Sequence, residues 1–78
     1  TAEAGDQVIV KGSSAVTITL PASPSAGKFV KIKNISSQAV TIGRNGNNIE
    51  SSSQDGTLAV GRFVELVYVD ATIGWVEI

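Results

Sequence analysis

The chain has 78 residues, six basic and seven acidic side chains for a formal net charge of -1, and neither cysteine nor histidine. That length holds one domain, and the charge balance leaves no basic footprint for nucleic acid or an anionic membrane. The missing residue types remove disulfides, thiolate sites and the commonest nitrogen ligand of metals.

A domain this small buries only about 60 per cent of the surface its unfolded chain exposes, so oligomerisation is the stabilising supplement that remains. No apolar run approaches the roughly 18 residues that would span a bilayer, and insertion into a membrane is not expected. Methionine is absent, which leads us to expect a fragment of a longer protein. No cofactor is expected.

Strand-type alternation begins at Val8, Ile9 and Val10 and is clear from Ala15 to Leu20, where Val16, Ile18 and Leu20 share a face opposite Thr17 and Thr19. Residues 21 to 27, Pro-Ala-Ser-Pro-Ser-Ala-Gly, form a connection, because the prolines cannot donate to a ladder and Gly27 permits positive φ. From Lys28 to Asn34 the pattern returns, with Val30 and Ile32 inward and Lys31 and Lys33 outward. After a polar Ser36-Ser37-Gln38 turn, residues 38 to 42 place Val40 and Ile42 inward, which predicts a hairpin with the preceding strand.

Asn45-Gly46, between Ile42 and Ile49, is the strongest short-range hairpin signal, since both residues tolerate positive φ. Residues 50 to 57 carry no apolar side chain and read as an exposed loop. Leu58 and Val60 open another extended piece, and Phe63 to Val69 is rich in β-branched and aromatic residues on both faces, with Glu65 its one charge. That segment reads as a central or interface strand. Asp70-Ala71-Thr72 and Gly74 supply the last turn before a closing strand, Trp75 to Ile78.

No window sustains a helical period, and turns recur at roughly eight- to twelve-residue intervals, the pattern of a sandwich or small barrel. The predicted fold is all-β, a small antiparallel sandwich or barrel-like module of seven or eight short strands, with residues 1–14 as linker plus first strand and 15–78 as the single β domain. Val-Thr-Ile occurs at residues 16 to 18 and again at 40 to 42, a repetition to which patterning alone assigns no weight.

Three stretches together carry a family resemblance: Ile18 to Gly27; Val40-Thr41-Ile42 leading into Asn45-Gly46-Asn47-Asn48-Ile49; and Leu66-Val67-Tyr68 followed by Gly74-Trp75-Val76. In order and spacing they resemble modules of bacteriophage tail-fibre and tailspike-type virion proteins. The resemblance implies a β-rich, commonly trimeric module of a virion appendage, mediating oligomerisation and attachment to other virion proteins, with no defined catalytic residues. A location in the virion follows, after synthesis in the host cytoplasm.

Nucleophilic catalysis needs a base beside the nucleophile, and without His or Cys no spacing in the chain favours one. The carboxylates Asp6, Glu50, Asp55, Glu65, Asp70 and Glu77 are scattered, as solvated acids are, and no loop has the acidic alternation of a calcium site. A non-enzymatic module with no metal is therefore expected.

Two candidate surfaces remain. Trp75 and Tyr68 would stack a host surface glycan, with Arg44, Asn45 and Asn47 supplying hydrogen bonds, but Trp75 is better read as a core or interface anchor, because so small a core can hardly spare its largest apolar side chain. Phe63, Glu65, Val67 and Val69 would form an oligomer interface, because a strand apolar on both faces needs cover on each. Lys31 and Lys33 are expected to protect an edge or to pair with Glu65 or Glu77. A capsid decoration protein is a further alternative function.

Overall fold

Alternation of apolar and polar side chains gives each strand one face to bury. In the computed structural model, which describes residues 1–78, these segments become β1 (Gln7–Val10), β2 (Thr17–Thr19), β3 (Phe29–Asn34), β4 (Val40–Gly43), β5 (Gly56–Leu58), β6 (Phe63–Asp70) and β7 (Gly74–Glu77). One sheet has the order β1-β3-β6-β7 and the other β2-β4-β5. A single cluster of 13 buried apolar residues, drawn from both sheets, fills the space between them.

The all-β sandwich of seven strands is the expected class, but two of its five pairings, β1 with β3 and β2 with β4, are parallel. Both pairs keep one offset: Gln7 lies opposite Lys31 and Thr17 opposite Thr41, 24 residues on in each case. The chain therefore winds from the first sheet to the second and back, laying residues 31–43 on residues 7–19 as one turn of a coil lies on the last. Backbone bonds continue the stacking at the corners, from Ile35 N to Val10 O at 2.9 Å and from Ser37 N to Gly12 O at 3.0 Å. The Val-Thr-Ile repetition is thus structural. Ser13, Ala15, Val16, Thr17 and Ile18 recur as Ser37, Ala39, Val40, Thr41 and Ile42 because equivalent places in successive turns make equivalent demands.

This winding overturns the predicted hairpin of residues 28–34 with 38–42. β3 and β4 lie in different sheets, and Ser36-Ser37-Gln38 is the corner that carries the chain across. Asn34, fully buried, is the reason the corner holds. Its Nδ2 donates to Gln38 O at 2.8 Å and Leu58 O at 3.0 Å, while its Oδ1 accepts from Ser36 N at 3.0 Å and Ser36 Oγ at 2.6 Å. The amide thus satisfies groups from the corner and from the end of β5 together.

Asn45 (φ 49°) and Gly46 (φ 86°) do form a tight turn, closed by Asn47 N donating to Arg44 O at 3.1 Å. It does not join two paired strands: the antiparallel partner of β4 is β5, and Ile49 instead bridges Ser52 and Trp75. β5 begins at Gly56, so the fully irregular part of the expected loop is shorter, and Val60 stands exposed beyond the strand. Residues 1–14 contain less linker than expected. Ala2 belongs to the core, Gly5 N donates to Phe29 O at 2.7 Å, and β1 is an integral strand.

β6 lies between β3 and β7, the central place its two apolar faces indicated. Its turn into β7 is capped by Asp70 Oδ1, which accepts from Thr72 N at 2.9 Å and Ile73 N at 2.7 Å. Gly74 follows with φ 77°, packed so closely on Asn48 that a Cβ would enter the Asn48 carbonyl. This approach lets Trp75 N donate to Asn48 O at 2.8 Å, tying the loop after β4 to the far sheet.

Two consequences are open to denaturation. Gly74→Ala should lower stability by at least about 2 kcal/mol, from strain and steric overlap together, against about 1 kcal/mol for Gly46→Val, whose side chain meets open space. Equal urea midpoints for the two variants would refute that order. Asn34→Leu should cost about 3 kcal/mol or more, since it strands several buried polar groups at once; a midpoint within 0.5 M of wild type, roughly 0.5–1.5 kcal/mol at usual urea slopes, would refute the corner's role.

Candidate functional site

The alternation that fills the core from one face of the larger sheet leaves the other face to be read. Across β1, β3 and β6 the register sets Ile9, Lys33 and Phe63 in one row, and Gln7, Lys31 and Glu65 in the next. Phe29, Val67 and Val76 form a third across β3, β6 and β7. Ile78 closes the middle row by donating its N–H to Glu65 O at 2.9 Å, and Val69 stands beyond the third.

The resulting face is unusually apolar for solvent. Ile9 is 59% exposed, Phe63 55%, Val69 40% and Ile78 77%, with Phe29, Val67 and Val76 half-buried among them. Single exposed aliphatics are ordinary, but seven on one sheet face, crossed by the row of Gln7, Lys31 and Glu65, make a surface of the kind that marks contacts. Its lysines fold back onto the sheet. The Lys31 ammonium lies over the Phe29 ring, 5.3 Å from its centroid, and Lys33 Nζ donates to Gly61 O at 3.0 Å. Lys31 faces Glu65 across the strands, as expected of a cross-strand neighbour. β3 is an inner strand, however, so edge protection is not the function of these lysines.

All four residues proposed from sequence for an interface, Phe63, Glu65, Val67 and Val69, fall on this face. Sequence reading missed Ile9, Phe29, Val76 and Ile78. Their alternation was visible, but which strands flank β6 was not.

The glycan set does not assemble. Trp75 is fully buried and Tyr68 8% exposed, their rings meeting edge to face with centroids 5.5 Å apart at 67°. Neither ring offers a face to a sugar, because the core of so small a domain takes its largest side chain. The indole Nε1 is buried with no acceptor in the protein. The remaining three side chains hold loops together: Asn45 Nδ2 donates to Leu20 O at 3.0 Å, Asn47 Nδ2 to Ala22 O at 3.1 Å, and Arg44 Nη1 to Asn47 O at 3.4 Å. None of the five lines any of the four surface depressions of the molecule.

The widest depression beside the apolar face, about 470 Å³, lies at the start of β6, where Lys33, Arg62 and Glu77 border Phe63 and Leu58. Its one hydroxyl, Thr57, is not hydrogen-bonded to Lys33 or Glu77, Lys33 Nζ being engaged by Gly61 O, and nowhere do three acidic side chains gather as metal ligands would. What the arrangement can do is bury apolar surface against another macromolecule.

Comparison with known proteins agrees with the architecture. Residues 1–75 match the family model described as phage depolymerase C-terminal beta sandwich domain. No curated protein matches the chain. With nearly its whole length matched and two sheets packed as that description requires, the chain belongs to the phage depolymerase C-terminal beta sandwich family, a phage tail module.

Proposed function

We propose that this module is a non-enzymatic assembly element, which trimerises through the outer face of its larger sheet and so joins and stiffens a virion appendage. The observation that carries the reading is the patch just described, with Ile9, Phe63 and Ile78 each more than half exposed. Packed about a threefold axis, Phe63, Val67 and Val69 of each subunit would meet their counterparts, and Glu65 with Lys31 would stand among them as the polar pair that fixes register. Burial of this face supplies the stability that a 78-residue core lacks by itself. Attachment to other virion proteins then rests on the surfaces that the trimer leaves free.

Binding of a host glycan is the weaker reading, because no aromatic ring of the Trp75 and Tyr68 pair is presented to solvent. Titration with surface glycans should leave Trp75 emission unchanged, and a saturable shift would restore that reading.

Light scattering across a dilution series tests the assembly. The expected mass is three times the 8.0 kDa of one chain. Val67→Asp places an unpaired charge in the contact and should weaken association at least about a hundredfold, the equivalent of about 3 kcal/mol, while the β-sheet circular dichroism is retained. A wild-type chain that stays monomeric, or a Val67→Asp chain that stays trimeric with unchanged melting, would overturn the proposal.

A further inference from the structure

The four asparagines of the chain differ in what the peptide nitrogen after each of them does. Ile35 N, after Asn34, donates to Val10 O, and Ile49 N, after Asn48, donates to Ser52 O, both at 2.9 Å. The nitrogens that follow Asn45 and Asn47 donate to no group of the protein. Of these two asparagines only Asn45 precedes a glycine, and Asn45 and Gly46 are both exposed. A Cβ placed at Gly46 would meet nothing within 4 Å, so the surroundings of that peptide are open to water.

The Asn45 amide also carries a structural contact. Its Nδ2 donates to Leu20 O at 3.0 Å, and beside it Asn47 Nδ2 reaches Ala22 O at 3.1 Å. Leu20 is fully buried and its N donates to Gly43 O at 2.9 Å, so these contacts hold the chain leaving β2 against the end of β4. The atom that makes the Asn45 contact, Nδ2, is the atom an asparagine loses when its amide is hydrolysed. The folded turn slows that loss without preventing it. Attack by Gly46 N requires two bonds to open, Asn45 Nδ2 to Leu20 O and the Asn47 N to Arg44 O bond that closes the turn, and each is worth at most about tenfold in a local equilibrium.

We propose that Asn45 is a self-modification site, at which water converts the side-chain amide to a carboxylate and releases ammonia. Gly46 N gives its proton to water or hydroxide and bonds to Asn45 Cγ, the Cγ–Nδ2 bond breaks, and the nitrogen leaves as ammonia. One water then opens the cyclic imide. Its addition at Cγ gives aspartate, and its addition at the backbone carbonyl carbon gives isoaspartate, with the chain rerouted through Cβ and Cγ. Nothing is oxidised or reduced. Either product lacks the donor to Leu20 O and adds one negative charge to the formal -1 of the chain. The conversion loosens the chain after β2 from the turn after β4 and gives the module a lifetime set by its own chemistry. Because β2 and β4 lie in the smaller sheet, the site is independent of the outer face used in the proposed trimer.

Peptide mass mapping of the intact module, aged at mildly alkaline pH beside a sample unfolded in guanidinium, tests the site. Conversion should concentrate at Asn45 as mixed aspartate and isoaspartate, at least about tenfold faster than at the other three asparagines, because glycine alone leaves the attacking nitrogen uncrowded. The folded-state rate should lie within about a hundredfold of the unfolded one, the product of the two bonds that must open. Rising pH should speed the reaction, since Gly46 N must lose its proton. Asn45→Gln, which would have to close a larger ring, should stay unconverted. Asn45→Asp, which mimics one product, should lower the urea midpoint by at least about 0.5 M through loss of the donor to Leu20 O. The proposal is overturned by a folded-state rate slower than that range, by conversion spread evenly over the asparagines, or by an Asn45→Asp midpoint that falls by less.

Discussion

The architecture turns on one buried amide. Asn34 ends β3 at the point where the chain must leave one sheet and enter the other, and a corner between sheets strips backbone groups of their ladder partners. Its side chain replaces them, taking two carbonyls and giving its oxygen to a backbone and a hydroxyl donor. Each such group left unpaired inside the protein would cost about 1–3 kcal/mol, a large fraction of what a small domain has in total. Because the two carbonyls belong to Gln38 and Leu58, the same residue positions the start of β4 and the end of β5, and with them the smaller sheet.

Trp75 performs the complementary task from the apolar side. Its backbone bonds to Asn48 and Glu50 while its ring fills the centre against Tyr68, so the loop after β4 is held against the larger sheet by both kinds of contact. The polar corner and the aromatic centre together determine how the sheets face one another. They leave the outer face of the larger sheet as apolar surface with no intramolecular cover.

How far this was legible in the sequence follows from what alternation encodes. A period of two reveals which residues share a face, and so the seven strands, the central place of β6 and the outward placing of Phe63, Val67 and Val69 were readable. It does not reveal neighbours. Residues 28–34 and 38–42 look like a hairpin because a short polar turn separates them, yet a corner between sheets has the same composition. The repeat was hidden by its brevity, since only the stretch around Val16-Thr17-Ile18 keeps its identity while β1 and β3 share little beyond pattern. The glycan set failed for a different reason: an exposed aromatic and a core aromatic are the same letter, and asparagines in turns bond to backbone as readily as to a ligand.

The coil has a kinetic side. β6 and β7 are joined by a turn of a few residues and can meet early, whereas each parallel pairing waits for a loop about 24 residues long to close before any ladder bond rewards it. The first strand in the chain therefore finds its place only after β3 exists, and the apolar outer face of β6 is present in solution before the sandwich behind it is complete. During that interval the apolar face is open to indiscriminate association, so the rate at which the winding closes governs how much chain reaches the native fold and how much is lost to aggregation.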